Sequence, residues 1–246
     1  MSFFRNHPFA VEAFFESSLV FTFAIEKEGL KHLIPDCLQL DTFKDRWAFV
    51  AIAMVQTKDL RPKGFPKKLG NDFFLIGHRV FVSYTNKSGK RLRGLYILKS
   101  ETDSKKMEIL GNLFTHYNYT TTDITRLIKN DTIEINSTKS AIHLLVETES
   151  KEKVDLPVDS PFQDWKEARR YAGPLPFTFS YNSKTNNVLI IEGVREHWKP
   201  EPVRLIEYNF SFPQNLNPQD LRLACAFIVK NIPYTWNKGK VESLSV

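Results

Sequence analysis

At 246 residues the chain is long enough to bury a sizeable core without disulfide or metal staples, and a single domain over 1–246 is the expected organisation. Hydrophobic residues make up 42% and charged residues 25%, with 20 Phe and 8 Tyr, a composition that excludes broad disorder. The net charge of +6 invites a nucleic-acid reading, whereas Cys37 and Cys225 form neither a disulfide framework nor a zinc-spaced pair and point to a reducing compartment.

Residues 1–9 contain Arg5 and Pro8 and no long apolar stretch, so no secretory signal is expected. The longest apolar run, 47–55, is less than half of a membrane-spanning helix, and a cytoplasmic protein with no membrane anchor is expected. Asn-x-Ser/Thr triplets at Asn86, Asn118, Asn130, Asn136 and Asn209 are then chance occurrences.

The β-branched and aromatic run 19–25 predicts a strand, and 26–34 a short helix ending before Pro35. Residues 38–43 and 47–56 predict a hairpin across Lys44-Asp45-Arg46. Two prolines, two glycines and several cationic side chains make 59–71 a solvated loop that should interrupt the sheet. A second hairpin joins 73–86 to 92–100 through Lys87-Ser88-Gly89-Lys90. Asp103 can cap a helix lying across the sheet, with Met107, Leu110, Leu113 and Phe114 on one face. Residues 132–137 and 141–147 predict a third strand pair, and 149–158 is the best linker candidate. Ser160-Pro161-Phe162-Gln163 reads as a helix start, Gly173-Pro174 as its stop, with Phe162, Trp165 and Ala168 sharing a face. Further strands are expected over 177–181, 187–192 and 203–212, while 218–228 fits a helix beginning at Asn217-Pro218 and a strand through Cys225 equally well. Hairpins around two or three short helices imply an α+β fold whose curved antiparallel sheet closes to a barrel or cone, with room for a ligand on the enclosed face.

Paired lysines at a buried site depress each other's pKa and can supply a neutral amine for Schiff-base chemistry, which draws attention to Gly64-Phe65-Pro66-Lys67-Lys68-Leu69-Gly70. That motif looks like one in acetoacetate decarboxylases, as do Leu33-Ile34-Pro35 through Leu38-Gln39-Leu40-Asp41 and Phe49-Val50-Ala51-Ile52-Ala53-Met54. The resemblance, however, implies a lysine pair after the second hairpin, where this chain has the lysine-free stretch 111–119, and a carboxylate where it has Val50. Lys67 and Lys68 fall instead in the early basic loop, where solvent keeps amines protonated.

The chain more closely resembles the YqjF-like uncharacterised proteins of the acetoacetate-decarboxylase-like fold, best over 33–119. The shared pattern is Leu38-x-Leu40-Asp41-x-Phe43, Trp47-Ala48-Phe49-Val50, Leu60-Arg61-Pro62-x-Gly64-x-Pro66, Arg79 in a strand, Gly94-x-Tyr96, and Tyr117 after the helix. It departs at Leu75 and Gly77, where those proteins have a Glu and an Asn two and four positions before the strand arginine.

Arg79 stands in an apolar strand and Glu101 ends the neighbouring one, so the two either pair across the hairpin or Arg79 clamps an anionic ligand. His78 should turn to the opposite face, at a surface or edge. His116, Tyr117 and Tyr119 join a proton-transfer group to two phenols; the fold resemblance implies that they line the cavity, and aromatic packing is the alternative. With Tyr96 these make the ligand-binding candidates Arg79, Tyr96, Glu101, His116, Tyr117 and Tyr119. Glu192, Arg195, Glu196, His197 and Trp198 form a loop at a sheet end that ranks below Tyr117. Scattered histidines carry no metal spacing, and neither metal nor cofactor is expected. The reading is a small organic acid bound in the cavity without a Schiff-base lysine; the rival is a basic module binding nucleic acid or an acidic partner through 58–68. Nucleic acid lacks a recognition motif here, and homo-oligomerisation is left open.

Overall fold

The computed structural model describes residues 4–149, 153–173, 175–212 and 216–244. Its first strand, β1 (Val11–Glu26), is long because an apolar residue recurs at almost every second position or closer. Two 3₁₀ turns, Lys27–Gly29 and Lys31–Leu33, replace the short helix expected over 26–34. Then come β2 (Gln39–Leu40), β3 (Trp47–Pro62), β4 (Asn71–Thr85), β5 (Arg91–Thr102), α1 (Lys105–Phe114), β6 (Tyr119–Thr121), β7 (Thr125–Lys129), β8 (Thr132–Ser137) and β9 (Ile142–Glu147). After α2 (Trp165–Ala172) the chain forms β10 (Phe177–Asn182), β11 (Asn187–Arg195), β12 (Glu201–Pro202), β13 (Arg204–Asn209), β14 (Arg222–Trp236) and β15 (Lys240–Ser243).

The main sheet runs β12-β14-β1-β3-β4-β5-β10-β11-β15, and a further pairing of β11 with β14 joins the path to itself. The curved sheet therefore closes as a ring, in the α+β arrangement expected. It is mixed rather than purely antiparallel, since β5 pairs in parallel with both β10 and β6. A second, four-stranded sheet in the order β13-β9-β8-β7 packs on the outside of the ring. Leu19, Phe21, Phe23, Val50, Ile52 and Met54 face it, and Ile135, Leu144 and Val146 answer from its side. The strand expected over 203–212 belongs to that outer layer, not to the ring.

Several local expectations change for identifiable reasons. Residues 38–43 do not pair along 47–56: β2 hydrogen-bonds to β4, and only Phe43 bridges Trp47. The 59–71 segment does not interrupt the sheet, because β3 continues to Pro62 and β4 starts at Asn71, with Leu60 opposite Asn71. α1 is capped by Ser104, which accepts from the Met107 amide at 3.3 Å, while the Asp103 carboxylate is taken by the Phe74 amide at 2.9 Å. α2 starts at an Asp164 cap rather than at Ser160, whose hydroxyl donates instead to the Ala224 carbonyl at 2.7 Å. The ambiguous C-terminal stretch is a short 3₁₀ turn, Pro218–Asp220, followed by β14, because its apolar run lies between β1 and β12. The helix stop at Pro174 and the middle of the linker candidate, 150–152, lie outside the described residues.

No helix among the described residues is long and apolar enough to cross a membrane. Leu144 has no accessible surface between the two layers. Leu144→Ala should cost about 2–5 kcal/mol in urea denaturation, the range for a large core deletion. A cost below about 1 kcal/mol would show that the outer sheet is not packed as described.

Candidate functional site

Strand alternation decides which side chains face the inside of the ring, and β-bulges reset that alternation. In β1 the register against β3 shifts between Phe15 and Ser17, so Val11 and Phe15 face inward before the shift and Ser18 and Val20 after it. Val55 and Thr57 of β3, and Phe73, Leu75 and Arg79 of β4, keep simple alternation. Across the β4–β5 ladder Arg79 is opposite Ile97 but His78 is opposite Lys99, leaving Leu98 as an extra residue; Ile97 and Ser100 face the same side. These strands enclose a mainly apolar cavity of about 390 Å³. α1 closes one end with Met107, Leu110, Gly111 and Phe114, and the wall also includes Thr178, Arg195, Trp198, Tyr234, Trp236 and Arg61, the last paired with Glu12 at 2.7 Å. No lysine and no carboxylate are among the lining residues.

The polar groups gather around Arg79. Its Nε is buried with no hydrogen-bond partner, and among the described residues no carboxylate lies within ion-pairing distance. Burial lowers its pKa; Tyr234, Tyr119 and Tyr117 act in the opposite direction, and the positive charge of Arg195 adds to the lowering. Gly77 makes the position sterically accessible: a Cβ there would stand only 3.0 Å from Arg79 Nε, so the departure from the family pattern at this residue makes room for the guanidinium. The Tyr117 hydroxyl donates to Thr178 Oγ1 at 2.9 Å, and burial pushes its pKa up to about 12. Burial raises Tyr119 as well, with Tyr117 adding to it and Arg79 opposing. Both phenols are therefore neutral hydrogen-bonding groups near neutral pH. His7, whose Nε2 is buried and unpartnered, also lines the cavity, and burial lowers its pKa to about 4.

Of the residues singled out in the sequence, the fold brings together Arg79, Tyr117 and Tyr119. Glu101 is not with them. The extra residue at Leu98 places Glu101 opposite Ile76 and on the face of His78; in an unbulged ladder it would have stood opposite Leu75, on the face of Arg79. There its Oε1 accepts from Lys99 at 2.7 Å and from the Ser140 hydroxyl at 2.6 Å, and its Oε2 lies 3.4 Å from His78 Nε2. His78 is accordingly fully buried between the layers, not at a surface or edge. Tyr96 also leaves the cavity, because its neighbour Ile97 takes the inward position; it packs instead on the cluster of Val80, Val82 and Phe179, where burial raises its pKa. His116 turns to a shallow crevice with Ser180 and Asn187, its Nε2 3.5 Å from Asn6 Oδ1. Lys67 and Lys68 are exposed on a 3₁₀ turn.

Sequence reasoning missed Tyr234, Trp236 and His7, and it ranked Arg195 and Trp198 too low. Tyr234-x-Trp236 is an alternating aromatic pair, a signal present in the sequence but lying beyond the ambiguous 218–228 stretch.

The DUF2071 family model, described as an uncharacterized conserved protein, matches residues 13–241. No functionally curated protein matches the sequence. Among solved structures, the chain is similar to acetoacetate decarboxylase from Legionella pneumophila subsp. pneumophila str. Philadelphia 1, at 12% identity and a TM-score of 0.64, over 96% of this chain and 88% of that one. An acetoacetate decarboxylase-like enzyme from Sphingomonas wittichii RW1 is similar at 9% identity and a TM-score of 0.58, over 96% and 93%. The enduracididine biosynthesis enzyme MppR complexed with pyruvate is similar at 7% identity and a TM-score of 0.52, over 97% and 91%. At these identities the likeness shows the fold alone, and it is the acetoacetate-decarboxylase-like fold that the sequence pattern resembles.

Glu101 generates a pH prediction. Burial alone would raise its carboxyl, but the contacts of His78, Lys99 and Ser140 outweigh it and bring the pKa from an ordinary 4.5 down to about 2. A depressed folded-state pKa contributes stability that is complete above the unfolded value and is lost as pH falls from 4.5 toward 2, here on the order of 3 kcal/mol. Glu101→Gln should therefore unfold at lower urea than the native chain at pH 7, with the gap narrowing as pH drops through that window. A gap independent of pH would contradict this assignment.

Proposed function

The chain belongs to the DUF2071 family of uncharacterized conserved proteins, and from that premise we propose that it binds a small organic acid in the cavity, with Arg79 as the anion contact and Tyr117 and Tyr119 as neutral polar lining. The observation that carries this reading is the Arg79 guanidinium: a cation sunk in a mainly apolar cavity with no carboxylate of the described residues beside it. An unpaired buried charge is costly, and an anionic ligand would supply the missing partner. A planar guanidinium suits a carboxylate, with two parallel N–H···O bonds available. The bound pyruvate named for one similar structure, itself a small carboxylate, supports the same ligand class.

Schiff-base chemistry has no place in this reading. The cavity wall holds no lysine, and Lys67 and Lys68 are in solvent. The rival reading, a basic surface at 58–68, has less support than its composition promises: Lys58 is paired with Asp72 at 3.0 Å and Arg61 with Glu12 at 2.7 Å, so those charges are already neutralised within the fold.

Thermal shift against a panel of small carboxylates tests the proposal, since a ligand at 100 times its Kd adds about 2.7 kcal/mol to stability. Arg79→Met should move two readouts in opposite directions. Removing an uncompensated buried charge should stabilise the ligand-free protein, on the order of 1 kcal/mol, while binding of any acid weakens about 10-fold or more. Tyr117→Phe should weaken binding without a comparable gain. If Arg79→Met instead destabilises the free protein and leaves acid binding intact, Arg79 is a structural residue and the proposal fails. Borohydride treatment with a panel of keto acids should leave the chain unmodified; an adduct on Lys67 or Lys68 would show that the loop reaches the cavity.

A further inference from the structure

The acid-binding reading uses one cation of the cavity and leaves a second, partly buried one unexplained. Arg195, at the end of β11, reaches the same cavity as Arg79. Its Nη1 donates to the Tyr234 hydroxyl at 3.4 Å, and its guanidinium lies 4.8 Å from the Trp198 ring centroid and 5.4 Å from that of Tyr234. Its Nη2 is buried with no hydrogen-bond partner. Aromatic faces and a hydroxyl acceptor orient a guanidinium, but they do not supply the counter-charge of a carboxylate. As for Arg79, no carboxylate stands within ion-pairing distance among the described residues, and the cavity lining contains none.

Two like charges in one cavity repel each other, and among the described residues neither has a carboxylate within ion-pairing distance. Burial lowers the pKa of both, and the charge of Arg195 acts against that of Arg79. The Tyr234 phenol influences both guanidinium groups, and its own proton has no acceptor among the described residues. Gly193, beside it on β11, lets that hydroxyl approach, since a Cβ there would collide with it. One cavity thus holds two guanidinium groups, Arg79 near Tyr117 and Tyr119 and Arg195 hydrogen-bonded to Tyr234, a phenol that acts on both. Apolar wall from Phe15, Leu75 and Ile97 lines the same space.

We propose that the ligand is a dianionic organic acid, a dicarboxylate with one carboxylate on Arg79 and the other on Arg195, its carbon chain lying against the apolar wall. This rests on the reading of Arg79 as an acid contact and adds the number and placement of the charges. It assigns Arg195 and Tyr234 to specificity: a monoacid satisfies one guanidinium and leaves the other desolvated and unpaired, a penalty the dicarboxylate avoids.

The experiment compares the unmodified full chain with two matched series, the straight-chain dicarboxylates succinate to pimelate and the monocarboxylates butyrate to heptanoate, by thermal shift and calorimetry. At the best chain length the dicarboxylate should bind about 10-fold or more tighter than the monocarboxylate of equal length, the scale of one charge-assisted hydrogen-bonded contact. Arg195→Gln should abolish the preference, so that the dicarboxylate binds no tighter than the monocarboxylate of equal length. Arg195→Lys, which keeps the charge but not the planar fork, should retain part of the preference. Equal binding of the two series to the unmodified chain overturns the dianion assignment and leaves the acid-binding reading standing. Binding of neither series overturns both. Inorganic phosphate competing as strongly as the best dicarboxylate would place both charges at one point and overturn the assignment of one carboxylate to each arginine. Because the series are compared on the unmodified chain, the result does not depend on either variant folding.

Discussion

The cavity depends on a three-residue ladder in which Gly193, Val194 and Arg195 of β11 pair with Trp236, Thr235 and Tyr234 of β14. This short antiparallel contact joins β14 and β11, each one strand in from an end of a path that would otherwise be an open sheet. Residues directly opposite in such a ladder share a face, so the pairing that closes the ring also sets Arg195 beside Tyr234 on the cavity side. Closure and the second cationic end of the cavity are consequences of one interaction. Loss of it would expose strand edges and release Arg195 to solvent together.

Bulges determine what the closed ring shows to its interior. The shift in β1 after Phe15 turns Leu19, Phe21 and Phe23 toward the outer sheet and leaves Ser18 and Val20 for the cavity. The extra residue in β5 does the same to charge: it sends Glu101 to the face of His78 and leaves Arg79 without the carboxylate its neighbouring strand could have supplied. One residue of register separates an arginine paired with Glu101 from one with no carboxylate beside it among the described residues. The carboxylate is put to structural use on the other face, where Lys99, Ser140 and His78 surround it between the layers.

The interior of the cavity is consequently under electrostatic tension. Two guanidinium groups are partly desolvated against aromatic and aliphatic side chains, with the phenols of Tyr117 and Tyr119, raised by burial, close by. Small residues permit the arrangement: Gly77 under the Arg79 guanidinium and Gly193 under the Tyr234 hydroxyl leave the space that a side chain would fill.

Much of this was legible in the sequence, because strand propensity, turn chemistry and alternation are local. The hairpin from β4 to β5, the strands flanking 183–186, the pair β8–β9 and the solvated setting of Lys67 and Lys68 follow from residues close in the chain. Arg79, Tyr117 and Tyr119 stood out as polar groups in apolar or aromatic runs, and the fold resemblance supplied a reason for them to meet. What only the tertiary structure decided is non-local. The displacement of Tyr96 and Glu101 from the cavity depends on which face β5 turns inward, and for Glu101 a single bulge reverses that face without any mark in composition, while His116 is set by the connection between α1 and β6. The strand character of 222–236 depends on β1 beside it, and the joining of Arg195 with Tyr234 depends on ring closure between segments 39 residues apart in sequence. Sequence determines the residues and their local conformations; pairing between distant strands determines which of their charges find partners within the protein and which are left facing the cavity.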